Sequence, residues 1–286
     1  MELRKRARIF AASCALAALS VLAPSAGAAP KPPATPRIYV FENGAIKGLD
    51  PALFRFTRAE LKEVDFVGNS YLIVHPRGTL MFDSGQIPDA AFKDGGPVVD
   101  GIMSATKPLL PQLAAAGYTP ADVTYFALSH YHSDHTANAN AFAGATWIVQ
   151  KAERDFMFSD KPEGIIKVDT YSALRDAKTK VLNNEDFDVF GDGTVVIMST
   201  PGHTPGHQVV AVKLAKAGTV VLGGDLYHYP EERATGRVPT FEFNAEQSQA
   251  SRAKIEKFLK DQHATLWIEH DLATHASLPK SPQYID

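Results

Sequence analysis

Residues 129–135 of this 286-residue chain read Ser-His-Tyr-His-Ser-Asp-His, which places four metal-ligand side chains within six residues. If a strand ends just before this run, His130 and His132 project to the same side of the extended backbone, because side chains alternate with a period of two. Asp134 and His135 then fall past the turn and face elsewhere. The spacing therefore predicts ligands for two metal ions. Imidazole with carboxylate suits zinc, and also iron, manganese or cobalt.

Further candidate ligands follow strand-like segments downstream. His203 lies in a turn rich in glycine and proline, Asp225 follows the apolar run 219–222, and His270 follows the apolar run 265–268. Open α/β sheets place their sites at the ends of strands, so we expect these side chains to converge at one sheet edge.

In this pattern the chain resembles the metallo-β-lactamase superfamily of hydrolases. The resemblance rests on the HxHxDH run at 130–135 together with the distal His203, Asp225 and His270, and it extends over roughly residues 37–275. The turn at 83–85 resembles the early D-[ST]-G turn of that superfamily. The resemblance implies an α/β fold, the αβ/βα sandwich, in which two mixed β-sheets lie face to face with helices outside.

Within the superfamily the chain is most similar to the N-acyl homoserine lactonases, which are quorum-quenching enzymes. This similarity rests on the segments 68–73 and 75–78 and on the PGHTPGHQ form of the loop 201–208. It implies that lactone rings are opened by a hydroxide shared between two metal ions. Phosphotriesters, thioesters and β-lactams stay open as alternative substrates, and a non-catalytic metal-binding scaffold is a further alternative.

The resemblance also implies how the ligands are shared. One ion takes His130, His132 and His203, the other takes Asp134, His135 and His270, and Asp225 bridges the two. We expect two Zn²⁺ per chain, with Fe, Mn or Co as other divalent metals. Asp134 is also expected to carry the proton to the leaving group. A bridging carboxylate is typical of the lactonases, thioesterases and phosphotriesterases, and it disfavours the β-lactamase alternative.

One position departs from the lactonase pattern. These enzymes carry a tyrosine three residues after the bridging aspartate, and this chain has His228 there. Imidazole donates the same hydrogen bond to a lactone carbonyl, so His228 is the first candidate for that catalytic role. Tyr227 and Tyr229 are the reserve candidates. A loop residue without a role in catalysis is an equally weighted alternative for His228.

The remaining histidines are interpreted as structural. His207, four residues beyond a predicted ligand, is expected to support its loop rather than bind metal. His75, His263 and His275 lie outside the motifs and are expected to be solvated or hydrogen-bonded side chains.

Three aromatic segments, 53–56, 156–158 and 241–243, are candidates for an apolar pocket that holds a fatty acyl chain. Aromatic residues at such spacing more often belong to the core, which stays the alternative. The sequence does not indicate a preferred chain length.

Residues 1–28 are predicted to be a cleaved signal peptide. Basic residues at 4–8 precede the apolar stretch 9–22, which is too short to span a bilayer comfortably, and small residues at 26–28 suit cleavage. Cys14, the single cysteine, lies in this segment, and its surroundings disfavour a lipoprotein. We therefore expect a periplasmic or secreted protein with no stable membrane anchor.

Residues 29–36 form a proline-rich leader that we expect to be extended and poorly packed, and 37–286 form the hydrolase domain. Losing the signal peptide removes four basic and one acidic side chain, which changes the formal charge from −3 to about −6. An acidic chain without Lys/Arg runs argues against nucleic acid as a partner, and favours a small molecule such as an acyl lactone. A dimer is among the assemblies that the sequence leaves open.

Hydrophobic periodicity predicts the elements that carry these motifs. Strands are predicted over 37–42, 123–128 and 265–268, a hairpin over 67–82, strand-rich segments over 180–212 and 219–222, and helices over 107–116, 151–158 and 246–260.

Overall fold

The computed structural model describes residues 30–93, 96–162 and 164–286. The predicted signal peptide and the first leader residue lie outside these ranges. Residues 30–36 form no helix or strand, but Pro33 and Pro36 are buried, so the leader packs more closely than the sequence predicts. Within the described ranges no helix combines the length and apolar character that crossing a membrane requires.

Eight strands of the described residues form the larger of two sheets. They are β1 Arg37–Ile46, β2 Phe66–His75, β3 Gly78–Phe82, β4 Val98–Asp100, β5 Met103–Ala105, β6 Tyr125–Ala127, β7 Thr146–Gln150 and β8 Thr179–Leu182. Their order across the sheet is β4-β5-β1-β2-β3-β6-β7-β8. The pairs from β3 to β8 are parallel and the others are antiparallel, so the sheet is mixed as predicted.

The smaller sheet comprises β9 Phe187–Asp188, β10 Val195–Ser199, β11 Gln208–Leu214, β12 Gly218–Leu222 and β13 Thr265–Trp267. Its order is β13-β12-β11-β10-β9, and β12 pairs with β13 in parallel. This parallel pair places residues 223–225 and 268–270 at the same edge of the sheet.

The helices lie mainly outside the two sheets. They are α1 Leu109–Ala115, α2 Ser133–Thr136, α3 Lys151–Met157, α4 Pro230–Thr235, α5 Ala245–Gln262 and α6 Leu272–Ser277. The predicted helix 107–116 begins later than expected because Pro108 precedes it and the Asp89 carboxylate accepts hydrogen bonds from the N–H groups of Leu109 and Leu110. A side chain distant in sequence therefore sets this boundary.

Side chains alternate between the two faces of each strand, and this alternation explains the layers of the core. In β1, Ile38 and Val40 pack between the two sheets, whereas Tyr39 and Phe41 pack on the outer face toward the helices. Both faces of the larger sheet are thus buried, which is typical of a sheet covered on both sides. On the outer face of the smaller sheet, Ile255 of α5 is buried among β10, β11 and β13 residues. The predicted αβ/βα sandwich is confirmed.

The site forms where strands end at one edge of the sandwich. The backbone must pass closely there, and Gly224 shows the constraint: a Cβ at this position would lie 2.6 Å from Ser129 Cβ and 2.8 Å from His207 Nε2. Its φ of +46° is also one that side chains disfavour. Glycine therefore allows the Asp225 loop to reach the histidine loops.

Candidate metal centre

The structure brings the seven predicted ligands together in two adjoining groups. Within each group the ligand atoms lie within 4.8 Å of one another; one group is His130, His132, His203 and Asp225, and the other is Asp134, His135 and His270. All are buried except Asp134, which is partly exposed. A dual metal-binding site is therefore present where the sequence predicted it.

Asp225 lies between the two groups and offers one carboxylate oxygen to each. Its Oδ2 lies 3.3 Å from His203 Nε2 and 3.6 Å from His130 Nε2. Its Oδ1 lies 3.2 Å from His135 Nε2 and 3.1 Å from His270 Nε2. Asp225 is therefore placed where it could contribute a ligand atom to each group.

Hydrogen bonds on the far side of the rings orient four of the histidines. The Nδ1 atoms of these rings contact protein oxygen atoms at 2.9–3.0 Å, which leaves each Nε2 facing the centre: His130 with Ser129 Oγ, His135 with Asp83 Oδ2, His203 with Glu242 Oε1, and His270 with the Val67 carbonyl oxygen. Such partners fix the tautomer and orientation of a metal-binding imidazole.

His132 is turned the other way and presents Nδ1, which lies 3.1 Å from His203 Nε2. Two ring nitrogens that lie so close together suit a metal ion shared between them. His130 Nε2, His135 Nε2 and Asp225 Oδ1 are buried without a hydrogen-bond partner among the described residues. Buried polar atoms are rarely left unpaired, so these residues fit bound metal.

The protonation states of His130, His132 and Asp225 also suit metal. Burial, reinforced by neighbouring imidazoles, holds the pKa of His130 and of His132 well below its ordinary value. Although burial raises the pKa of Asp225, the surrounding histidines hold it well below its ordinary value. Neutral imidazole and ionised carboxylate are the forms that bind metal.

A cavity of about 320 Å³ opens onto the centre. Beyond the metal-ligand residues and His228, its wall among the described residues is apolar and consists of Ile46, Leu49, Leu53, Phe54, Phe66, Ile102, Met103, Ile165 and Phe241. The cavity suits a ligand that has a polar reacting group and an apolar substituent.

The three aromatic segments divide between this cavity and the core. Leu53, Phe54 and Phe241 line the cavity. The segment 156–158 does not: Phe156 stacks on Tyr131, with ring centroids 4.8 Å apart. Glu242, the middle residue of the third segment, accepts a hydrogen bond from His203 and does not line the cavity.

His228 lies in the cavity wall, 3% exposed, with Nε2 3.3 Å from Asp225 Oδ2 and Nδ1 3.4 Å from Glu232 Oε1. Burial lowers the pKa of its imidazole, but Glu232 and Asp225 together raise that pKa to about 10. A donor N–H at the cavity is therefore favoured at neutral pH.

The two reserve candidates for the donor role lie elsewhere. The Tyr227 hydroxyl donates to Glu256 Oε1 at 3.2 Å, and the Tyr229 hydroxyl donates to the Val64 carbonyl oxygen at 2.9 Å. Neither residue lines the cavity. The structure therefore places neither tyrosine at the substrate cavity, because adjacent side chains of extended backbone point in opposite directions.

His207 supports the loop as predicted from its position. Its Nε2 accepts a hydrogen bond from the Asp225 N–H at 3.0 Å, and its Nδ1 lies 2.9 Å from Thr200 Oγ1. The other histidines predicted to be structural also lie outside the two ligand groups: His75 contacts Asp192 and His275 contacts the Ile268 carbonyl oxygen.

Sequence reasoning missed several supporting residues. Besides Glu242, the buried Glu269 accepts hydrogen bonds from the Asn69 N–H and the Tyr71 hydroxyl, each at 2.9 Å. Glu269 therefore ties β2 to the loop that carries His270. Its position directly before a predicted ligand was the available signal.

A family model described as the metallo-beta-lactamase superfamily matches residues 64–266, which is well over half of the chain. The chain belongs to this superfamily. The matched range contains six of the seven ligands, and His270 lies just beyond it.

Two curated relatives of this superfamily are similar over most of their length. "N-acyl homoserine lactonase AttM" of Rhizobium radiobacter is 28% identical over 262 residues, which covers 87% of this chain and 98% of that protein. "N-acyl homoserine lactonase AiiA" of Bacillus thuringiensis subsp. kurstaki is 27% identical over 227 residues, which covers 75% of this chain and 85% of that protein. The predicted resemblance to lactonases is confirmed.

Solved structures of two lactone hydrolases share the fold. An N-acyl homoserine lactone hydrolase with the product N-hexanoyl-L-homoserine bound at its metal centre has a TM-score of 0.72 at 24% identity and covers 88% of this chain and 99% of that chain. AidC, described as a dizinc quorum-quenching lactonase, has a TM-score of 0.60 at 20% identity and covers 82% of this chain and 87% of that chain.

Proposed function

We propose that this protein is an exported, dinuclear zinc hydrolase that opens the lactone ring of N-acyl homoserine lactones. The observation that carries the proposal is the pair of ligand groups, with Asp225 between them, at the base of an apolar cavity. The names of the similar proteins, N-acyl homoserine lactonases, support the choice of substrate. The predicted signal peptide supports export to the periplasm or the medium.

In this proposal His130, His132 and His203 would hold one ion, Asp134, His135 and His270 would hold the other, and Asp225 would contribute to both. Nitrogen and carboxylate ligands without thiolate suit zinc, with other divalent metals as alternatives. Two bound ions supply a hydroxide at neutral pH and Lewis acidity at the carbonyl.

The chain's own groups then orient the substrate and move the proton. The cavity wall holds the acyl chain and excludes water, while the His228 N–H holds the carbonyl oxygen as negative charge develops on it. Asp134 is the one partly exposed ligand, and it lines the cavity. Its carboxylate would carry a proton toward the departing alkoxide.

The experiment is a comparison of rates on an N-acyl homoserine lactone, a phosphotriester, a thioester and a cephalosporin. We expect the lactone to be preferred, with about one proton released per molecule consumed and with the ring re-forming on acidification. Chelation should abolish turnover and zinc should restore it. Free fatty acid with intact homoserine lactone as products would show an acylase and overturn the proposal, as would faster turnover of another substrate class.

The location is tested separately. Expression of the full chain in a bacterium, followed by fractionation and N-terminal sequencing, should yield periplasmic or secreted protein that begins at Ala29. Protein that stays in the cytoplasm with residues 1–28 attached would contradict export.

A further inference from the structure

Glu153 is a buried carboxylate that the chemistry above does not use. It lies on α3 and is 2% exposed. No cationic side chain of the described residues forms an ion pair with it. Burying a carboxylate costs free energy unless hydrogen bonds satisfy its oxygen atoms. The hydrogen-bond partners of Glu153 therefore indicate what this residue does.

Those partners come from two separate metal-ligand loops. Glu153 Oε1 accepts a hydrogen bond from the Tyr131 N–H at 2.8 Å, and Oε2 accepts one from the Gly206 N–H at 2.8 Å. The Thr204 hydroxyl lies 3.0 Å from Oε1 and 2.8 Å from Oε2. Tyr131 stands between two ligands of the first loop, and Thr204 directly follows the ligand of the second.

Close packing reinforces these bonds. A Cβ placed on Gly206 would lie 2.6 Å from Glu153 N and 2.7 Å from Glu153 Cβ, so the second loop rests directly on α3. The loop has no room to approach further, and the carboxylate stops it from moving away.

The loops that Glu153 joins carry the histidines of one of the two ligand groups. The histidines on the loops that Glu153 joins are His130, His132 and His203, which form the three-histidine group with Asp225. In the other group, His135 and His270 are oriented by Asp83 and by the Val67 carbonyl oxygen instead.

We propose that Glu153 is a positioning residue that sets the spacing of the two loops and thereby the metal affinity of the three-histidine group. It belongs to neither ligand group and does not line the cavity. The inference concerns metal binding alone, so it stands whether or not the substrate is a lactone.

The test is Glu153→Gln, an isosteric change that places an NH₂ group opposite either the Tyr131 or the Gly206 N–H. One buried donor then loses its acceptor, which costs about 1–3 kcal/mol. Loss of a partner that orients metal ligands lowers metal affinity roughly 10- to 100-fold. We expect that decrease at the three-histidine group, with the other group changed by less than about threefold.

Glu269→Gln is the matched control. Glu269 is also fully buried, but one of its two partners is the Tyr71 hydroxyl, which can rotate to accept from an amide. Occupancy of each group is read from zinc anomalous diffraction of crystals grown at limiting zinc, and affinity from competition with a chelator. Glu269→Gln should leave the three-histidine group unchanged.

A second pair of variants decides the matter if Glu153→Gln does not fold. Thr204→Val removes the hydroxyl donor at nearly constant volume, and Thr204→Ser keeps it. The proposal requires Thr204→Val to weaken zinc binding at the three-histidine group and Thr204→Ser to restore it. Equal loss at both metal groups, or wild-type affinity in Glu153→Gln or Thr204→Val, would overturn the proposal.

Discussion

His228 offers the sharpest test of how the cavity acts on a carbonyl. Its Nε2 faces the metal centre, 3.3 Å from Asp225 Oδ2, and Glu232 holds the other side of the ring. His228→Ala removes the one polar residue of the described cavity wall that is not a predicted metal ligand. Loss of one oxyanion donor generally lowers kcat by about 10²- to 10³-fold, which corresponds to roughly 2.7–4 kcal/mol. We expect the lower end, because bound metal also polarises the carbonyl.

The assay is lactone hydrolysis followed by proton release, with metal content measured on the same samples. His228→Ala should reduce kcat about 100-fold with metal content unchanged. His228→Tyr should restore part of the loss by returning the usual lactonase residue. Tyr229→Phe is the matched control: its hydroxyl bonds the Val64 carbonyl oxygen, so stability should fall by about 1 kcal/mol while kcat stays within about twofold.

Two results would refute this reasoning. If His228→Ala keeps the wild-type kcat, the carbonyl is held without the imidazole. If metal content falls in proportion to kcat, His228 supports Asp225 and does not act on the substrate.

Three further predictions address the metal centre, pH and the cavity. Asp225→Ala should lower metal content from about two ions per chain to one or fewer, since both groups share this carboxylate; elemental analysis that still gives two ions would contradict a bridge. Burial and Lys280 lower the pKa of His275 to about 3. Between about pH 3 and pH 6.5 the His275 imidazole is protonated in the unfolded chain but neutral in the native protein. The free energy of unfolding therefore decreases as pH falls through this range. From pH 7.5 to 5.0 wild-type apo protein should lose about 2 kcal/mol more than His275→Gln in urea unfolding, and equal losses would contradict the shift. Ile102, half exposed at the cavity, should contact long acyl chains, so Ile102→Asp should raise KM about fivefold for long-chain but not short-chain lactones, as expected from losing about 1 kcal/mol of apolar contact.

Sequence alone predicted the metal ligands that are close together along the chain or that follow an apolar strand. The spacing of His130, His132, Asp134 and His135 specifies ligands because neighbouring residues share one turn, and Asp225 was predicted because it follows an apolar strand after two glycines. The hairpin over β2 and β3 was predicted because its turn residues have strong local preferences.

The supporting contacts were not predictable in the same way. Glu242 reaches His203 across 39 positions, and Glu153 reaches Gly206 across 53. Such pairs depend on how sheets and loops pack, which no local pattern encodes. The start of α1 also depends on such a contact, because Asp89 in a distant loop accepts hydrogen bonds from its first N–H groups.

The distribution of ligands between the two sheets has a mechanical consequence. An ion held by His135 and His270 would tie the segment after β6 of the larger sheet to the segment after β13 of the smaller one, and so close a loop of about 135 residues. A covalent cross-link that closes a loop of about 100 residues restricts the unfolded chain by roughly 4.7 kcal/mol, and a coordinated ion acts in the same sense. Residues 29–286 contain no cysteine, so no disulfide can take over this task. When metal is withdrawn, we expect the first proteolytic cuts in 183–186, the segment that joins β8 to β9 and thus one sheet to the other.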